Sequence, residues 1–372
     1  MIRVVHVVYS LEPGGMENGV VNLSNALDPA RFQTSILCLR RRGAFADRLA
    51  ARVPATTLGL PDRFAPLGIL QLALALRRLQ PEVIHTHNLG PLLYTSVARR
   101  LTGGRARLVH AEHSALAAAD LEPRRLDQRR RCYRNAWCVH TVSHALVDDL
   151  RTHGLAHPRF RAIVNGVDTS RFHPDSEAGT RARSRLGIPQ DARVVGMVGR
   201  FGPFKRHDLL LDAFRSTGAD SPGTHLLLVG GGGPLESEIS RRIADHPHSD
   251  RIHAAGFQSD PAPFYNAMDL LVVPSVNEGL SNALLEAMAC GVPVLTHPAC
   301  GAREVVREGE GGWVTPLDTP ADLAGALTRF LSDPSGWKAM GTRARAGVLH
   351  RFSMESMVSG YDLMYSEAVH AA

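Results

Sequence analysis

Short apolar runs of strand length alternate with amphipathic runs of helix length along the whole chain, and that alternation admits few folds. A strand followed by a crossover helix re-enters its sheet in the same direction, so such a chain builds parallel sheets with helices on both faces. Strand patterns at 4–8, 34–39, 83–87, 107–111 and 137–141 are interleaved with helical patterns at 16–27, 67–79, 91–101, 124–133 and 143–152. The polar stretch 168–180, which contains Pro174, Ser176 and Gly179, reads as a junction. Beyond it a second series begins, with strands at 194–198, 225–229, 252–254, 270–273, 292–296 and 312–314. Its helical patterns fall at 208–214, 235–244, 262–268, 283–290, 320–332 and 335–349, with a further short segment at 303–307. The expected fold is α/β, with two Rossmann-like, doubly wound domains at 1–175 and 176–351. A chain of 372 residues is longer than one hydrophobic core supports, which points the same way. The last segment, 352–372, carries Met357, Val358, Tyr361, Met364 and Tyr365 on one helical face and needs a surface to cover.

Hydrophobic residues make up 44% and charged residues 21%, enough to fill a sizeable core and too little charge for a disordered chain. The net charge of +6 favours an anionic partner without naming it. Arg124, Arg125, Arg129, Arg130, Arg131 and Arg134 share one segment with Leu126, Cys132 and Tyr133. Either this helix docks on anionic lipid head groups, or it is a solvated basic face paired with Glu122 and Asp127. No nucleic-acid signature accompanies the arginines, so no nucleic-acid partner is expected. The cysteines Cys38, Cys132, Cys138, Cys290 and Cys300 show neither a C-x-x-C pair nor zinc spacing and read as free thiols. The chain enters a strand at once, without a signal-peptide pattern, and no apolar run approaches the length of a membrane span. The expectation is a cytoplasmic protein, with contact at the inner face of the membrane left open.

The densest chemistry lies between Glu278 and Glu286, where Gly279, Leu280, Ser281 and Asn282 lead from the strand 270–273 into a helix. Ser281 or Asn282 suits the cap of that helix, whose amino end favours a phosphate. A carboxylate at either end can accept hydrogen bonds from sugar hydroxyls, Glu286 from a ribose diol and Glu278 from a second sugar. Incidental acids on a solvated helix are the plain alternative. Gly199 and Arg200 end the strand 194–198, and Lys205 follows, so two cations stand beyond a carboxyl strand end, where open parallel sheets bind ligands. A surface salt-bridge cluster would look the same. Gly230 opens a four-glycine turn after the strand 225–229, permitting close backbone approach without matching the dinucleotide fingerprint. Gly14 and Gly15 make a similar turn after the first strand. Among eighteen histidines, His85 and His87 share a strand face and His110 and His113 lie along the next run. A metal cluster there lacks a zinc motif, and no metal is expected; His113, at a strand end, is the best ligand-facing candidate.

Together these residues resemble the retaining glycosyltransferases of family four, and the resemblance spans nearly the whole chain. It rests on Gly14-Gly15-Met16-Glu17, Val164-Asn165-Gly166-Val167-Asp168 with Phe172, Gly199-Arg200 with Lys205, the Gly230 turn, and the block from Glu278 to Glu286 that continues to Pro293. The opening residues His6 to Tyr9 and Gly14 to Gly19 are similar to sugar transferases of exopolysaccharide systems. The resemblance implies the GT-B architecture, two facing Rossmann-like domains with the C-terminal helix crossing back to the first, acceptor-side domain. It implies that Arg200 and Lys205 neutralise the donor diphosphate, Glu286 holds the ribose, Glu278 and the backbone after it address the donor sugar, His113 lies near the transferred sugar and Gly15 beside the phosphate. Expected partners are a nucleotide sugar and a glycan or lipid-linked acceptor; no cofactor or divalent ion is expected. A nucleotide-sugar epimerase and a non-catalytic sugar-nucleotide-binding subunit stand as rivals. The first lacks an evident set of proton-shuttling residues, and the second fits poorly with the presence of Arg200, Lys205, Glu278 and Glu286 together.

Overall fold

The computed structural model describes residues 1–370. Among these, the chain divides into two compact units, Met1–Asn165 with the segment that begins at Met354, and Gly166–Ser353. The junction lies before residue 175 because the segment after Gly166 is tied to the second unit. Val167 donates its amide to Phe352 O at 2.9 Å, and Asp175 N and His173 O both bond the Asn266 side chain.

The first unit contains β1 (Ile2–Val8), β2 (Phe32–Cys38), β3 (Ala55–Thr57), β4 (Val83–His87), β5 (Arg107–Glu112), β6 (Cys138–Thr141) and β7 (Phe160–Ala162). They form a parallel sheet in the order β3-β2-β1-β4-β5-β6-β7. Its helices are α1 (Gly15–Ala26), α2 (Leu67–Leu79), α3 (Leu89–Leu101), α4 (Pro123–Tyr133) and α5 (His144–Thr152). Val4, Val5, Val7 and Val8 are all buried, as expected of a central strand covered on both faces. Register sets His6 of β1 beside His85 of β4, and Thr86 beside His110 of β5. On α2, Leu67, Leu70 and Leu74 are exposed on one face, close in sequence to exposed Phe64.

The second unit contains α6 (Ser176–Leu186), β8 (Arg193–Val198), α7 (His207–Asp220), β9 (Thr224–Val229), α8 (Glu236–Ala244), β10 (Ile252–Gly256), α9 (Ala262–Tyr265) and β11 (Leu270–Val273). It continues with α10 (Asn282–Ala289), β12 (Val294–Thr296), α11 (Ala302–Val305), β13 (Gly312–Val314), α12 (Pro320–Ser332) and α13 (Trp337–Arg351). The strand order is β10-β9-β8-β11-β12-β13, so the order reverses between β8 and β11. Helix α6 occupies residues that read as junction. Its buried positions are only Ala178, Gly179 and Ala182, too small to print a hydrophobic stripe, but Asp175 caps it on Ala178 N and Gly187 closes it in the left-handed region. A Cβ at Gly179 would strike Asn266 O, so the small residue lets α6 approach the end of α9.

The last helix, α14 (Met354–His370), belongs to the first unit. It buries Met357, Tyr361, Met364, Tyr365 and Ala368 against Val4, Leu23, Phe32, Val83, Val109 and Trp137. At roughly 1.5–3 kcal/mol for each large apolar side chain taken out of water, this face accounts for several kcal/mol of the unit's stability. Arg31 with Asp362 and Arg161 with Glu367 pair at its rim.

Candidate functional site

In the second unit, the residues singled out around 200 and 280 converge at the carboxyl ends of β8 and β11, the two strands that flank the reversal of strand order. Lys205 follows β8 through the turn Pro203–Lys205, and Glu278 follows β11. The Lys205 ammonium donates to Glu278 Oε1, and both side chains are about three-quarters buried. Backbone ties the two loops as well, since Val276 N bonds Phe204 O at 2.9 Å and Asn277 turns through the left-handed region. Arg206, also left-handed, spends its guanidinium on Leu317 O and Asp318 O, which fixes the turn that carries Lys205. Arg200 is exposed, and no carboxylate pairs with it among the described residues.

The glycine turn packs onto the same strand end. Phe201 N bonds Gly232 O at 3.0 Å and Leu235 N bonds Phe201 O at 3.2 Å, while Glu236 accepts from Gly232 N. Gly230 has φ of +129° and a Cβ there would run into the Gly199 carbonyl. Gly230→Ala is therefore expected to cost about 1–3 kcal/mol, more than an ordinary surface change, and to show as a lowered thermal midpoint of unfolding. Glu286 lies in α10, where Tyr265 donates to its Oε2 at 2.7 Å. Burial, and then the Glu286 charge, hold the Tyr265 phenol well above its usual range, so it remains a donor. Ser281 stands at the N-cap of α10, as expected, but its side chain makes no capping bond. Gly279 O instead accepts from Gly301 N at 2.9 Å, and Leu280 is buried beneath the loop.

His113 and Gly15 lie in the first unit. Gly15 opens α1 after the β1 loop, with Gly14 at the N-cap. Glu17 folds back so closely that a Cβ on Gly14 would collide with its carboxylate, so a negative charge already stands at that helix end. His113 follows β5 and is half-buried, with its Nε2 2.9 Å from His87 Nδ1. Behind it lies a histidine network. His87 Nε2 meets His6 Nδ1 at 3.0 Å, and His85 bonds Tyr365 at 2.7 Å and His140 at 2.9 Å. The ring nitrogens of His6, His85 and His87 are near enough to one another to hold a metal ion. Both nitrogens of His85 and of His87 already take hydrogen bonds, however, so of these three rings only His6 keeps a buried nitrogen without a partner.

The comparisons with known proteins follow the same division. Residues 13–171 match Glycosyltransferase Family 4 and residues 180–347 match Glycosyl transferases group 1. The chain belongs to the family four glycosyltransferases. The D-inositol 3-phosphate glycosyltransferase of Acidothermus cellulolyticus is 32% identical over 77% of this chain and 62% of its own length. The N-acetyl-alpha-D-glucosaminyl L-malate synthase of Bacillus anthracis is 26% identical over 80% of this chain and 78% of its own. The chain spans about half to three fifths of the length of the D-inositol 3-phosphate glycosyltransferases that it matches. Among solved structures, Anabaena Alr3699/HepE in complex with UDP and glucose superposes with a TM-score of 0.87 at 22% identity, over 98% of this chain and all of that one. That likeness shows the GT-B fold.

Several residues that hold these loops and strands in place escape a reading by motif. Tyr265 and Arg206 carry no motif of their own, and each becomes visible only through its partner in space. His6 and His140 lie in apolar strands, where a lone histidine reads as core. Helix α4 divides its arginines. Arg129 is buried and bonds Glu112 at 3.0 Å and Asp120 at 3.1 Å, and Arg125 and Arg130 pair with Asp120 and Asp127. Arg124, Arg131 and Arg134 stay exposed. A cavity of about 660 Å³ beside this helix is lined by Tyr9, Asn88, Ser114, Arg124, Arg125 and Gln128 among others. All five cysteines are free, four of them buried.

Proposed function

We propose that this chain transfers a sugar from a nucleoside-diphosphate sugar to a glycan or lipid-linked acceptor, with retention at the anomeric carbon. The observation that carries the reading is the pairing of Lys205 with Glu278 beyond the strands where the second sheet reverses, beside the glycine turn. Charge grows on the departing diphosphate in the transition state. With one N–H on Glu278, the Lys205 ammonium keeps two donors for phosphate oxygens, and Arg200, whose side chain lies against Gly233 of the glycine turn, is a second cation after the same strand. The backbone at Gly199, Gly230, Gly279, Leu280, Ser281 and Asn282 is the proposed cradle for the donor, and Glu286, oriented by Tyr265, the partner of its ribose. His113 and Gly15 are proposed contacts of the transferred sugar and of the phosphate. The scheme uses fixed cations and no divalent ion. The acceptor proton passes to the departing phosphate oxygen, so no dedicated base is required.

Uridine is the first base to test, because the similar fold of Alr3699/HepE was solved with UDP and glucose. The named relatives act toward inositol phosphate and malate, but an acceptor does not carry over at this identity and coverage. For a lipid-linked acceptor, of the kind polysaccharide assembly uses at the inner face of a membrane, support comes from the exposed Leu67, Leu70 and Leu74 with the adjoining exposed Arg77 and Arg78. No helix among the described residues is long and apolar enough to cross a membrane. Calorimetric titration of the purified protein with a panel of nucleoside-diphosphate sugars is expected to show saturable binding that EDTA leaves unchanged. NMR of the product is expected to show the donor's anomeric configuration. Failure of every donor to bind would end the proposal, and an isomerised donor in the absence of acceptor would replace it with an epimerase.

A further inference from the structure

The buried histidines form two hydrogen-bonded strings, and the chemistry of their ends fixes which nitrogen carries each proton. Neutral imidazole has one N–H and one bare nitrogen, so each ring donates once and accepts once. In the first string, His140 Nδ1 faces Thr141 O, which can only accept. His140 therefore carries its proton on Nδ1, its Nε2 accepts from His85 Nε2, and His85 Nδ1 accepts from the Tyr365 hydroxyl. Every member is satisfied.

The second string runs from His6 through His87 to His113. It joins His6 Nδ1 to His87 Nε2 at 3.0 Å and His87 Nδ1 to His113 Nε2 at 2.9 Å. His6 and His87 are at most 2% exposed, and His6 Nε2 is buried with no hydrogen-bond partner. Two proton arrangements satisfy the links. If His113 donates inward, His6 ends with an N–H buried against nothing. If His6 donates outward, it ends with only a bare lone pair. An orphaned buried donor is the rarer and costlier of the two, so the string runs outward. His113 then accepts on Nε2 and carries its proton on Nδ1, which takes no partner among the described residues.

We propose that His6 and His87 are positioning residues that hold His113 as the neutral tautomer protonated on Nδ1, so that His113 offers its ligand a hydrogen-bond donor and no basic nitrogen. Burial, only partly opposed by the Glu112 carboxylate, brings the His113 ring down to about 4 and keeps it neutral near pH 7. Resting on the glycosyl-transfer reading, the ligand atom is a sugar hydroxyl oxygen, and His113 has no nitrogen left to take a proton from the acceptor. Its specificity is for an acceptor atom at that point of the sugar. Sequence motif gives His113 a place; the string behind it gives it a direction.

The test is a long-range proton–nitrogen correlation spectrum of the ¹⁵N-histidine-labelled protein without substrate, with His113 assigned by comparison with His113→Gln. The expected spectrum has His113 protonated on Nδ1 and bare on Nε2. In His87→Leu, where the inward partner is gone, His113 is expected to move to the Nε2-protonated form that free imidazole side chains prefer. His87→Asn, whose amide can still donate to Nε2, is expected to keep the Nδ1 form. Finding His113 protonated on Nε2 in the unsubstituted protein would overturn the proposal, as would an Nδ1 form that survives His87→Leu. Displacement of the His6 and His87 signals by stoichiometric zinc would also overturn it, in favour of a metal site. The spectrum needs no turnover, so a failure of the glycosyl-transfer reading leaves the tautomer standing and removes only the sugar hydroxyl from it.

Discussion

Lys205→Ala is expected to lower turnover by about 10²–10³-fold with the protein still folded, the scale of losing one preorganised donor from a developing anion. The substitution removes the cation held on Glu278 and leaves that carboxylate, about three-quarters buried, without its partner. Two effects therefore add in the single variant. Glu278→Gln separates them, because it keeps an acceptor for the ammonium while taking away the charge. If Lys205 acts on the departing phosphate, the double variant Lys205→Ala with Glu278→Gln stays as slow as Lys205→Ala alone. If Lys205 merely neutralises Glu278, the double variant recovers most of the lost activity. Steady-state kinetics with a saturating donor reads the difference, and circular dichroism checks the fold. Turnover within about tenfold of the parent would remove Lys205 from the chemistry.

Acid is expected to unfold the first unit well above the pH at which Glu112 titrates. Burial lowers His6 and His140 to about 3 and His113 to about 4, and, with neighbouring rings, takes His85 and His87 well below their ordinary range. In the unfolded chain these five rings bind protons near pH 6.5, while in the folded unit the same five stay neutral until far lower. The unfolded state thus holds more protons as pH falls below 6.5, and stability drops. Each ring contributes up to about 1.4 kcal/mol per pH unit, so five together approach about 7 kcal/mol per unit, comparable with the whole stability of a domain. Glu112 acts in a lower window. Burial would raise it, but His110, then Arg129 and Tyr133, bring it down to about 2, so its contribution is present above about pH 4 and is lost only as pH falls toward 2. Denaturant titrations at stepped pH are expected to show a steep loss starting near 6.5. A flat profile down to pH 5 would mean that the histidines are not buried as neutral rings.

Much of the fold was legible because its signals are local. Helix α2, β4, β11 and β13 occupy the residues their patterns mark, each with alternating or continuous apolar positions that burial alone enforces. The elements that escaped are those whose apolar content is small. Helix α6 buries only alanine and glycine, and the strands β3 and β7 are three residues each at the edges of the first sheet. Helix α9 ends at Tyr265, short of residue 268, because Asn266 turns its side chain to Ala262 O and His173 O. For the site, Glu278 and Lys205 could be suspected separately from their strand ends, whereas their contact depends on a sheet order that no local pattern reports. The histidine strings are further removed. They depend on register between β1, β4, β5 and β6, which brings together residues more than fifty positions apart.

Helix α14 follows the whole second unit in the chain, yet Tyr361 and Tyr365 complete the core begun by β1. During synthesis, this sheet leaves the ribosome before the second unit and waits without the helix that covers it while that unit is being translated. The first unit thus begins to fold before the second and completes its core only after it, by taking back a helix from beyond the second unit.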